Sequence, residues 1–105
     1  MREKTVGLVV NGTMEIHPDD REKFIALVGR NVAESRGVEG CLGYAFTVDV
    51  SNPNLLHNVE AWSDRESLEK HMNSELMQAA FAEVKKLRLL ARDVTAYTVG
   101  ASTKI

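Results

Sequence analysis

The chain has 105 residues, of which 44% are apolar and 27% charged, and its formal net charge at pH 7 is −2. That length suits one compact domain, and the charge excludes a nucleic-acid binder, because phosphate affinity rests on clustered Lys and Arg. The nearest basic cluster, Lys85-Lys86 with Arg88, falls on a helix flank and reads as a solvated face.

Other exclusions follow from local runs. No apolar run approaches the ~20 residues of a membrane span. The start Met1-Arg2-Glu3-Lys4 is too charged for an export leader, and Cys41 is the single cysteine, so no disulfide can form within the chain. Together these point to a reducing, cytoplasmic setting. With no neighbouring cation, Cys41 reads as a small core residue.

In chain order, Thr5 to Met14 alternates around Val6, Leu8 and Val10 and predicts a first strand. Ile16-His17-Pro18 ends it. Asp19 offers an N-cap with Glu22 as its capping-box partner, and Phe24, Leu27, Val28 and Val32 follow at helical spacing towards a stop at Gly37. Cys41 to Val50 reads as a strand with Leu42, Tyr44, Phe46 and Val48 on one face. After a turn at Ser51-Asn52-Pro53-Asn54, Leu55 to Trp62 is the third strand. Ser63 with Glu66 caps a second helix, whose inner face is Leu68, His71 and Met72 and which Asn73-Ser74 interrupts. Met77, Phe81, Val84, Leu87 and Ala91 then form an amphipathic stripe, and Asp93 to Val99 is the fourth strand. Residues 100–105 are a tail.

The order β-α-β-β-α-β predicts an α+β, ferredoxin-like sandwich, an antiparallel sheet with its helices on one face. No repeat, low-complexity segment or linker divides residues 1–105, so one domain is expected. Apolar residues on both sides of the strands, such as Val9 and Val10 or Leu55 and Leu56, predict that the bare sheet face meets a second copy.

Asn58, Glu60 and Trp62 share one strand face, and His71 follows on the apolar side of the next helix. An Asn within a strand is disfavoured, and a buried one must satisfy four hydrogen-bonding positions. Asn11 poses the same question in the first strand, with a bulge at Gly12 as one answer. A lone His on an apolar face is more often a satisfied core residue. In this company it is a candidate general base, since a partly desolvated imidazole titrates near neutrality. Glu60 reads equally as a base or as a structural, orienting group. The three histidines lack ligand spacing, so no metal is expected.

The run Gly40-Cys41-Leu42-Gly43-Tyr44, the stretch Asp49 to Pro53, the motif Glu60-Ala61-Trp62-Ser63-Asp64 and the segment His71 through Phe81 resemble the antibiotic biosynthesis monooxygenase (ABM) family of small dimeric proteins. The resemblance extends from the first strand to Leu90, and Glu-x-Trp followed by a helical His is its most specific part. It implies a dimeric ferredoxin-like fold, a dimeric α/β barrel-type assembly, with a pocket between sheet and helices. Members include anthrone and quinol oxygenases that use no metal or flavin, haem-degrading oxygenases, and an isomerase of a phosphorylated dione. Asn58 and Trp62 match pocket residues of the anthrone oxygenases, whereas the Tyr those enzymes place six residues after the Trp is Leu68 here. Asn11 matches the first-strand Asn of the haem degraders. Their Trp and axial His correspond to His71 and Phe81, which disfavours haem degradation.

The expected function is therefore oxidation of an electron-rich quinol- or anthrone-like aromatic by O₂, with no cofactor and with His71 as base. Asn58, Asn11 and the Trp62 indole are the expected donors to developing charge, and Tyr44, Glu60, Phe24, Met77 and Phe81 the expected substrate-binding walls. The alternative is an isomerase of, or a binding module for, a small carbonyl compound.

Overall fold

The computed structural model describes residues 5–105; the charged start, Met1 to Lys4, lies outside them. β1 spans Leu8–Ile16, starting later and ending later than the alternation predicts. Its end is set by pairing: His17 donates its N–H to the Arg88 carbonyl at 2.9 Å, and Pro18 then has no N–H to continue. The strand keeps its register through Asn11-Gly12 without a bulge; the irregularity falls instead at Glu15/Ile16, against β4.

A short 3₁₀ turn, Pro18–Asp20, leads into α1, Arg21–Ser35. The Asp19–Glu22 capping box expected from the sequence is replaced by another arrangement. The N-cap residue is Asp20, and it makes no side-chain cap bond. Its carboxylate instead accepts from the Arg88 N–H at 2.9 Å and from Arg88 Nε at 3.0 Å, tying the helix start to the start of β4. The Arg88 guanidinium holds the Asp20 carboxyl down to about 2. The buried stripe of α1 is Phe24, Leu27, Val28, Asn31 and Ser35. The left-handed residue after it is Gly40 (φ 85°) and not Gly37; a Cβ there would collide with the Ser67 side chain.

β2, Cys41–Asp49, and β3, Asn52–Trp62, form a hairpin whose turn is closed by Asp49 accepting from Ser51 N–H at 3.0 Å. α2, Arg65–Met72, is capped by Asp64 and not by Ser63: the Asp64 carboxylate accepts from the Ser67 N–H at 2.7 Å. The interruption at Asn73-Ser74 is present, and the Ser74 hydroxyl accepts from Met77 N–H at 3.3 Å to start α3, Glu75–Val84. α3 stops at Val84, so Leu87 and Ala91 are not on it, and β4 begins at Leu89 and runs to Thr98. The Arg88–Asp20 anchor turns the chain back into the sheet before the apolar stripe is complete.

All pairings are antiparallel, in the order β2-β3-β1-β4, and the helices make this a ferredoxin-like α+β fold. Val10 stands opposite Glu60 and Ala96, and Gly12 opposite Asn58 and Val94. Strand alternation therefore puts Val10, Tyr44, Asn58, Glu60, Trp62 and Val94 on the face that meets the helices. Val9, Asn11, Val59 and Tyr97 are on the other face. Among the described residues no helix is long and apolar enough to cross a membrane.

The interior forms two apolar clusters. One is Leu8, Val10, Tyr44, Trp62 and Leu68; the other is Ile16, Phe24, Leu27, Val28 and Leu56; Phe46 packs against both. What separates them is a cavity.

Candidate functional site

The cavity is about 570 Å³, within the range of small-molecule sites, and lies between the sheet and helices α1 and α3. Its walls are mostly apolar, with Phe24, Leu27, Phe46, Met77 and Phe81 among them. Four polar side chains converge on the end nearer Trp62: Asn31 from α1, Tyr44 from β2, and Asn58 and Glu60 from β3. At the other end, Lys85 and Arg92 line it from the end of α3 and from β4.

Glu60 is the hub of the first polar group. Residues 58, 60 and 62 project from one strand face, so the carboxylate lies between the Asn58 amide and the Trp62 indole. It accepts from Asn58 Nδ2 at 2.9 Å and from Trp62 Nε1 at 2.8 Å. Glu60 is 8% exposed, and two charge-assisted hydrogen bonds offset the desolvation of its carboxylate. The indole N–H expected to serve a substrate is thus taken by Glu60. Trp62 is fully buried and is not part of the cavity wall.

Asn58 is 2% exposed, and its Oδ1 has no hydrogen-bond partner. A buried amide oxygen left unpaired costs roughly 1–3 kcal/mol. Because Asn58 lines the cavity, a ligand hydroxyl placed there would recover that cost.

His71 sits behind this wall and does not line the cavity. Its ring lies 4.9 Å from the Trp62 ring at an interplanar angle of 36°, and meets Tyr44 edge-on at 5.7 Å. His71 Nδ1 is buried without a partner, while Nε2 is 3.5 Å from the Ser35 hydroxyl. Ser35 Oγ donates to Asn31 Oδ1 at 3.0 Å, and Asn31 Nδ2 donates to the Tyr44 hydroxyl at 3.4 Å. A buried polar chain therefore joins the imidazole to the cavity. Burial pushes the His71 pKa below its ordinary value, so the ring is neutral at pH 7. Burial, with the Glu60 carboxylate nearby, pushes the Tyr44 hydroxyl up to about 12, which keeps it a proton donor.

The sequence-derived candidates thus separate into three places. Asn58, Tyr44, Glu60, Phe24, Met77 and Phe81 line the cavity. Trp62 and His71 stand behind it. Asn11 is exposed on the opposite sheet face, because it pairs with Val59 and not with the Asn58 row. It cannot serve as a donor to this cavity. His57 is also on that outer face, where its Nε2 lies 2.8 Å from Asp49 Oδ1. Asn31 and Ser35 were missed, although a signal existed: they continue the Phe24, Leu27, Val28 stripe at helical spacing, polar residues on an apolar face. Lys85 and Arg92 border the cavity and were not among the candidates; Lys85 is exposed, as its reading with Lys86 as a solvated face expects.

A small ferredoxin-like protein with an apolar cavity and a polar cluster at one end is the class defined by these features. The profile of the family Antibiotic biosynthesis monooxygenase matches residues 7–83, and the chain belongs to that family. An uncharacterized protein of Synechocystis is 34% identical over 67 residues, 64% of this chain but only 46% of that protein's length. The proposed monooxygenase YcnE of Bacillus subtilis is 26% identical over 83% of this chain and 92% of its own. A crystal structure of a proposed antibiotic biosynthesis monooxygenase from Deinococcus radiodurans is similar in fold, with a TM-score of 0.88 at 22% identity over 93% of this chain and 97% of that one.

Proposed function

We propose that the chain is a monooxygenase that oxidises a hydroxylated aromatic, of the quinol or anthrone kind, with O₂ and without a metal or flavin. The observation that carries this reading is the unpaired Asn58 Oδ1, a buried acceptor on the wall of an apolar cavity. It calls for a ligand with a hydroxyl on a largely apolar body. Such a substrate supplies its own electrons. For an anthrone, a ring CH₂ and one O₂ become a ring C=O and one H₂O; one oxygen atom stays on carbon and the other leaves with both hydrogens.

The residues divide the work. Asn58 Oδ1 accepts the substrate hydroxyl, and the Tyr44 hydroxyl donates to the oxygen on which negative charge builds. Glu60 fixes the Asn58 amide and is a positioning residue. His71 is the base. The Tyr44 hydroxyl, hydrogen-bonded to Ser35, passes its own proton to the Ser35 hydroxyl as it takes the substrate's. Ser35 turns from Asn31 to pass one on to His71 Nε2. The mostly apolar walls leave few polar groups to hold water beside the anion, and the open mouth admits O₂.

Oxygen uptake tests this. An anthrone mixed with the protein should consume O₂ and yield the quinone faster than the anthrone alone. An isomer of unchanged composition formed equally under argon would instead establish the isomerase, and tight binding with no product the carbonyl-binding module.

The outer sheet face supports a second copy as the partner. Val59 and Tyr97 are 53% and 50% exposed there, alongside the half-buried Val9 and Ala61. Sedimentation should give twice the monomer mass of 11.6 kDa, and Val59→Glu should halve it. A monomeric wild-type protein would refute the assembly and leave the cavity reading untouched.

A further inference from the structure

The end of the cavity opposite Glu60 carries two cations with no role in the chemistry above. Lys85 follows α3 and Arg92 lies on the inner face of β4, and both line the same cavity. Neither makes a salt bridge among the described residues, whereas neighbouring Lys86 is 3.2 Å from Glu83 and Arg88 is 3.0 Å from Asp20. No carboxylate lines that end: the cavity's one acidic residue is Glu60, already holding Asn58 and Trp62.

From these placements, and resting on the function proposed above, we infer that the substrate is an aromatic acid, whose anionic substituent is bound by Lys85 and Arg92 while its hydroxyl meets Asn58. The sheet sets the spacing. Asn58 is level with Val94 through Gly12, and Arg92 is two residues further along β4. Arg92 thus stands about 7 Å along the strands and about 10 Å across them from Asn58, given the usual strand rise and separation. Met14 on β1 and Val94 on β4 lie in that interval, and both line the cavity. A planar, multi-ring body with a hydroxyl at one end and an acid at the other spans that diagonal. Arg92 can grip a carboxylate or a phosphate in bidentate fashion, with Lys85 adding a point charge.

The test is anaerobic calorimetry with three anthrones that carry a carboxylate, a phosphate monoester or a methyl group at the same ring position. At least one anionic compound should bind ~10-fold or more tightly than the methyl compound, and the tighter of the two names the acid. The preference should shrink as salt rises. In the double variant Lys85→Gln, Arg92→Gln it should vanish, with affinity for the methyl compound unchanged. Equal affinity for all three in the wild type, or an anionic preference that survives in the variant, overturns the inference. Binding of none overturns it together with the proposed function. An anionic preference without oxygen uptake leaves the subsite standing and removes only the oxygenase.

Discussion

Glu60→Ala is expected to lower the melting temperature by about 10–20 °C. Two buried donors, Asn58 Nδ2 and Trp62 Nε1, lose their acceptor at once. An unsatisfied buried group costs about 1–3 kcal/mol, and each kcal/mol moves the midpoint of a domain this size by roughly 4–8 °C. Glu60→Gln should lose about half as much, because one amide oxygen still accepts while the amide nitrogen faces a donor. The same variants should weaken hydroxyl-bearing ligands, since the Asn58 amide is no longer held with Oδ1 available. Calorimetric scans of the three proteins would measure the effect. A Glu60→Ala midpoint within a few degrees of wild type would show that cavity water satisfies both donors and that Glu60 positions nothing.

His71→Ala should slow anthrone-dependent oxygen uptake by about 100-fold or more, with KM little changed, because the base is lost while the cavity wall remains. Added imidazole should restore part of the rate by filling the space beside Trp62. Full turnover in a folded variant would return His71 to a purely packing role. A pH dependence accompanies this. The folded-state pKa of His71 lies below its unfolded value of about 6.5, so below that pH the unfolded chain binds a proton that the folded one does not. The stability from the buried neutral ring is complete above about 6.5 and is lost as pH falls through the folded pKa. The wild-type rate should fall over the same acidic window, as the base becomes protonated.

The fold was legible because its signals are periodic. Alternation in β2, the helical stripe of α1 and the Ser74 cap each correspond to a local physical preference, and each element is where the residues place it. Boundaries were less legible where a distant partner decides them. Asp20 has the composition of a helix cap, but Arg88, 68 residues away, takes its carboxylate and also fixes where β4 begins. The site was legible as a strand face. Residues 58, 60 and 62 had to share a side, but which of them reaches the cavity depends on the side-chain bonds between them. Trp62 turns out to be spent on Glu60. Asn11 shows the reverse limit: the residue type was suggestive, yet strand parity puts it on the outer surface. Lys85 and Arg92 belong to different elements and border one cavity because α3 ends at Val84 and β4 begins at Leu89.

The division of the interior into two clusters has an evolutionary consequence. Met72, Met77, Ala80, Phe81 and Ala96 face the cavity but belong to neither cluster. Folding free energy and molecular selectivity therefore overlap at Phe24, Leu27 and Tyr44, whereas these five line the hollow without belonging to either packed half. Exchanges among those five can reshape what the hollow accepts while both anchoring halves stay intact, so one scaffold can diversify its clientele without first acquiring spare robustness.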